Sequence, residues 1–240
     1  MARFAHPCRP FRGRFPMTQG PRAPTNARST LTTSETIVVS AICFGLFIYW
    51  STQAVLQGFP EARFSDSSNV WMVGTETVLA ASALLYLRAR RFDLRGLAVQ
   101  PDVKGTLLGL GLFFASWFLG IAVTTPFVSA QGPAQITEFS YGGMSLASTI
   151  LLAMVNGTFE EVFLQGVLVR GLRDRGLSIA IGVPLLVRLL YHLYQGPLGT
   201  LWVVTIGLCF TLFYLRSARL WPVVFAHMLW DIVPVVLAAH

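Results

Sequence analysis

Phe159-Glu160-Glu161-Val162-Phe163-Leu164-Gln165-Gly166 sets two adjacent carboxylates inside an apolar run, 145–169, that is long enough to cross a bilayer. An ionised carboxylate in hydrocarbon costs at least ~2.5 kcal/mol, and two charged neighbours repel one another. Such a pair persists only where it is ion-paired, shares a proton or faces a polar cavity. A functional site is therefore the first reading; two acids neutralised by a buried arginine is the plain structural one. On either side of this run lie further apolar blocks at 37–57, 70–87, 106–128, 177–194, 198–215 and 221–238. The expectation is an all-α fold, a polytopic transmembrane helical bundle of about seven spans.

Composition supports this reading. Of 240 residues 54% are hydrophobic and 12% charged, about half the charged share of a soluble domain, and the stretches between blocks are too short for an extramembrane domain. The net charge of +7 does not point to nucleic acid, because the arginines cluster at the ends of apolar blocks, where they orient a chain in the bilayer. Residues 1–33, rich in Arg, Pro, Gly, Ser and Thr, read as a disordered basic tail. Residues 34–144 carry the first three spans and 145–238 the polar motifs. Cys8, Cys43 and Cys209 have no metal-ligand spacing and imply no disulfide framework.

With the N-terminus in the cytoplasm, the tail arginines, then Arg88 to Lys104, Arg170 to Arg175, and Arg216 with Arg219 all fall on the cytoplasmic side. His240 then faces out, as expected of a multi-pass protein of the cell membrane. Two arginines depart from the pattern. Arg63 sits in an exterior loop beside Glu61 and Asp66, and Arg188 lies within a span, so its charge must be satisfied inside the bundle.

The ionisable groups at membrane depth are Glu76, Glu160, Glu161, Arg188, His192, His227 and Asp231. Glu161 and Gln165 are four apart and share a helix face, while Glu160 points about 100° away. Arg188 with His192, and His227 with Asp231, repeat the four-residue spacing on two later spans. Carboxylates and imidazoles from three spans converge only if those spans are neighbours, which offsets much of the cost of burying each one. Glu76 stands apart on the second span without a helically spaced partner, and reads as a structural acid bonded to a neighbouring helix. Depth raises a conflict: about 1.5 Å per residue puts Glu160 about 15 Å and His192 about 26 Å from the cytoplasmic arginines, unless Gly182 and Pro184 break the fifth span.

These residues resemble the CAAX-protease and bacteriocin-processing family of intramembrane proteases, also called CPBP or Abi proteins. The family pattern is two adjacent glutamates with an arginine one turn on, a Phe with His four residues later, and a His with Asn or Asp four residues later. Here Glu160-Glu161, Arg188 to His192 and His227 to Asp231 follow in that order on three apolar spans, over roughly the C-terminal half. Gln165 stands where the family has arginine and Arg188 where it has phenylalanine, which suggests that Arg188 supplies from a facing helix the charge missing beside Glu161.

The resemblance implies an intramembrane endopeptidase that hydrolyses a peptide bond in a peptide or membrane-protein substrate. Glu160 with His192 would activate water, His227 and Asp231 would stabilise the oxyanion, and Glu161 would hold Arg188. Zinc is open on the same residues: Glu160, His192 and His227 offer two imidazoles and one carboxylate, the ligand number of a catalytic zinc, yet a glutamate-activated water needs no ion. The alternative is a non-catalytic scaffold, immunity or transport partner whose polar cluster fixes helix register, a reading that Gln165 favours. An ion carrier finds less support, since there is no internal inverted repeat.

Overall fold

The computed structural model describes residues 27–128, 137–141 and 143–238; most of the basic tail, the segment 129–136 and Cys8 lie outside them. Six helical runs among the described residues are long and apolar enough to cross a membrane. They comprise α1 (Thr33–Leu56), α2 (Asp66–Ala89), α3 (Val103–Val128), α4 (Leu146–Glu161) with its continuation, the pair α6 (Leu177–His192) and α7 (Gly196–Ser217), and α8 (Leu220–Ala238). The chain crosses lipid as helix because only helices and closed barrels satisfy every backbone group there. Thr32 caps α1 and Ser65 caps α2, each through a reciprocal capping box, and Ser145 caps α4. Large apolar side chains such as Leu85, Leu107 and Phe118 point out of the bundle, as lipid-facing residues do.

These six runs hold the seven expected blocks, because one run is a helical hairpin with two arms. The fifth and sixth expected blocks form one run, Leu177–Ser217, of 41 residues. At 1.5 Å per residue a straight rod of that length would measure about 60 Å, twice the hydrocarbon thickness. It folds back instead through a tight turn at Leu193–Gln195, where Gly196 takes φ +75°, and α6 packs along α7. The Thr200 hydroxyl donates to the His192 carbonyl at 3.0 Å and ties the two arms at the turn. The break expected at Gly182 and Pro184 is absent: α6 stays helical through Pro184, and the chain turns only after His192.

The fourth run changes character at its centre. α4 ends at Glu161, and Val162–Val169 continues as a π-helix before the short α5 (Arg170–Leu172). Widened turns of this kind recur at functional sites, because they redirect the side chains on either side. α4 packs against α2 and α8, α3 against α7 and α8, and α6 against α1 and α7, which makes α4, α6 and α8 the walls of one interior.

The two ends of the bundle differ. At one pole Arg28, Arg90 and Glu35 form an ion-paired cluster, Arg170 pairs with Asp93, and Arg219 pairs with Asp102. The Leu31 amide donates to the Gly171 carbonyl at 2.8 Å, so the segment before α1 is tied to this pole. At the other pole β1 (Ala62–Arg63) and β2 (Phe139–Ser140) make a short parallel pair, and Phe64 stacks on Phe139 and Tyr141. Cys43 and Cys209 are free thiols.

Candidate active site

Glu161 is the hub. It is fully buried, and its Oε1 accepts from the Arg188 guanidinium and from His227 Nδ1 at 2.7 Å, while Oε2 accepts from Gln165 Nε2 at 3.1 Å. Arg188 therefore reaches Glu161 across the helix interface, as the exchange of residues at 165 and 188 suggested. Gly207 makes this reach achievable: a Cβ there would lie 2.5 Å from Arg188 Cδ, so only glycine leaves the arginine its channel along α7. Gly157 does the same for α8, since its Cβ would stand 3.2 Å from the Met228 nitrogen. That close approach delivers His227 to the end of α4.

Glu160 points the other way, into a cavity of about 590 Å³. Its Oε2 accepts from the Tyr191 hydroxyl and lies 3.7 Å from Arg188 and 3.8 Å from His227 Nε2. Tyr191 is itself held by stacking on Phe44, centroids 5.0 Å apart. Because Nδ1 of His227 donates to Glu161, the imidazole is fixed with Nε2 toward the cavity, 3.7 Å from Asp231 Oδ1. Asn156 Nδ2 donates to Asp231 Oδ2 at 3.0 Å and orients that carboxylate. Glu160 Oε2 and Asp231 Oδ1 thus both flank His227 Nε2 at separations too long for direct hydrogen bonds.

His192 lines the same cavity but stands outside this close group. Its Nδ1 bonds the Arg188 carbonyl at 3.0 Å, which leaves Nε2 as the ring's free nitrogen. The depth mismatch is the reason: with no break at Pro184, His192 sits at the far end of α6. Among the described residues those close enough to hold a metal ion are Glu160, Glu161 and His227, not the expected Glu160, His192 and His227. Their donors fit a metal poorly. Both oxygens of Glu161 and Nδ1 of His227 are spent on hydrogen bonds to one another and to Arg188 and Gln165, and the guanidinium already supplies positive charge beside both glutamates.

Two cavity residues escape the sequence reading and a third is placed differently by the structure. Tyr191 and Asn156 hold Glu160 and Asp231, and Glu76, expected to bond a neighbouring helix, instead lines the cavity, its Oε2 without a hydrogen-bond partner among the described residues. The cavity extends from His227 and Phe210 to Phe64, Tyr141 and Pro234, and none of the arginines of the charged pole lines it.

The bundle and its buried carboxylate–histidine–arginine cluster define a polytopic helical membrane protein with an ionisable site between its helices. Within it, residues 142–233 match the family model for Rce1-like proteins, described as type II CAAX prenyl endopeptidase Rce1-like, a protease family. That match bears out the resemblance read from the three motifs and spans all three of them. No curated protein and no solved structure matches the chain.

Proposed function

We propose that the protein is an intramembrane endopeptidase in which Glu160 activates a water for attack on a peptide carbonyl. The observation that carries this reading is His227 Nε2 flanked by Glu160 Oε2 at 3.8 Å and Asp231 Oδ1 at 3.7 Å on one cavity. A water between them gives its proton to Glu160 as its oxygen bonds the carbonyl carbon. The developing oxyanion takes a hydrogen bond from the protonated Nε2 of His227, whose ring is held between Glu161 and Asp231. Collapse of the intermediate breaks the C–N bond, and the proton on Glu160 passes to the leaving amine. Asp231, positioned by Asn156, holds the imidazolium, and His192 offers Nε2 from the far wall.

No step passes through a metal, because Arg188 already provides the cation beside the glutamates. The scaffold alternative loses its main support for the same reason: the charge that Gln165 lacks is present on Arg188. The substrate class is an apolar peptide segment reached through the bilayer; the prenylated CAAX substrates in the family's name carry over to this chain only as part of this proposal. We place the arginine pole in the cytoplasm of the cell, so that the cavity reaches toward the opposite face.

The test is to incubate the purified protein in nanodiscs with a library of membrane-derived peptides and read new termini by mass spectrometry. Wild type should produce cleavage that persists in strong chelator and falls by about 10²-fold or more in Glu160→Ala and His227→Ala. Complete loss on chelation would support the metal chemistry instead, and unchanged cleavage by a folded Glu160→Ala would remove Glu160 as the base.

A further inference from the structure

α2 turns one stripe toward the cavity: Asn69, Met72 and Glu76 follow at three- and four-residue spacing and all line it. Glu76 is the ionisable member. It is 2% exposed, and among the described residues its Oε2 has no hydrogen-bond partner. A carboxylate so placed costs several kcal/mol unless something neutralises it. The His227 ring on the same cavity lies against Glu160, Glu161 and Asp231, so Glu76 is neutral only while it keeps its proton, which an entering cation would displace. Arg188 is the only lysine or arginine among the lining residues, and it is committed to Glu161, leaving Glu76, Glu160 and Asp231 as carboxylates on one cavity. The walls between them are aromatic, with Trp50, Trp202 and Trp230 among them, and ring faces attract cations.

We propose that Glu76 is a specificity-determining residue that receives a positively charged group of the substrate, the ammonium or guanidinium of a basic side chain on an otherwise apolar peptide. This rests on the protease reading for the word substrate, but not for the binding itself. A cation entering from the aromatic pole would pair with Glu76 and lie over indole faces, while the apolar peptide fills the rest of the cavity. The basic side chain then sits in the cavity that also holds Glu160, and its position fixes which peptide bond meets the water.

The probe is a pair of amphiphiles of equal chain length, decylammonium and decanol, titrated into the purified full chain while the cavity tryptophans report by fluorescence. Wild type should bind the ammonium about tenfold or more tighter than the alcohol. Glu76→Gln and Glu76→Met should each abolish that preference while still binding decanol, which shows that the cavity is intact. A Glu160→Gln variant should keep the preference, so the binding outcome is read independently of catalysis. No ammonium preference in wild type, or a preference retained in Glu76→Gln, would overturn the proposal. An ammonium preference in a protein that cleaves nothing would uphold the cation subsite while removing the protease reading.

Discussion

The behaviour of the site turns on Arg188, a full charge buried to 2% exposure and shared between two glutamates. Removing one member of such a pair leaves an uncompensated charge, so Arg188→Phe should lower stability by ~3–5 kcal/mol in thermal unfolding in detergent. Gln165 lies one turn from Glu161 and already bonds it, and its own Oε1 has no hydrogen-bond partner among the described residues. Gln165→Arg should therefore recover most of the loss when combined with Arg188→Phe. A double-mutant cycle with no coupling would contradict the pairing. At this scale the sequence was informative where two groups shared a four-residue spacing, as with Glu161 and Gln165 or His227 and Asp231. Of the bonds that cross between helices only Arg188 to Glu161 is legible, through the exchange at 165 and 188; nothing in one chain says which neighbour Tyr191 or Asn156 will meet. Each still carried a weak signal: a tyrosine hydroxyl within a span needs a partner, and Asn156 lies four residues before Glu160 on the same face.

Helix packing decides whether those residues meet at all. Gly207 and Gly182 make a matched pair of tests, since a Cβ at 207 collides with Arg188 whereas one at 182 meets nothing within 4 Å. Gly207→Ala should destabilise the protein by ~1–3 kcal/mol and reduce activity, whereas Gly182→Ala should be neutral or stabilise by up to ~1 kcal/mol through helix propensity. Equal unfolding temperatures for the two would mean that Arg188 does not run along α7. The apolar blocks made the helices legible: the expected 106–128 and 221–238 fall within a few residues of α3 and α8. The hairpin is legible too: the expected blocks 177–194 and 198–215 leave the turn at Gln195-Gly196-Pro197, next to the observed turn at Leu193–Gln195, whereas Pro184, which looks like a break, does not interrupt α6. Glu76 is harder to read. Asn69, Met72 and Glu76 form a stripe only once α2 is known to face the cavity rather than lipid.

For the whole molecule, the asymmetry of the two poles predicts a topology. On one side Arg28, Arg90 and Glu35 link the start of α1 to the end of α2 and Arg219 with Asp102 links the start of α8 to that of α3, and the aromatic pole carries the α1–α2 loop on the other. A Glu61→Cys variant should react with an impermeant maleimide on intact cells, and Arg91→Cys only after the membrane is opened. The reverse pattern would put the arginine pole outside and turn the cavity toward the cytoplasm.

The central claim is that water, activated by Glu160, cuts a peptide within this bundle. The most direct measurement compares wild type with the isosteric Glu160→Gln, both folded and monodisperse, for peptide cleavage in oxygen-18-labelled water. The account predicts new C-termini labelled by solvent oxygen with wild type in the presence of chelator, and a loss of about 10²-fold or more with Glu160→Gln. Labelled products formed equally by both proteins would contradict it.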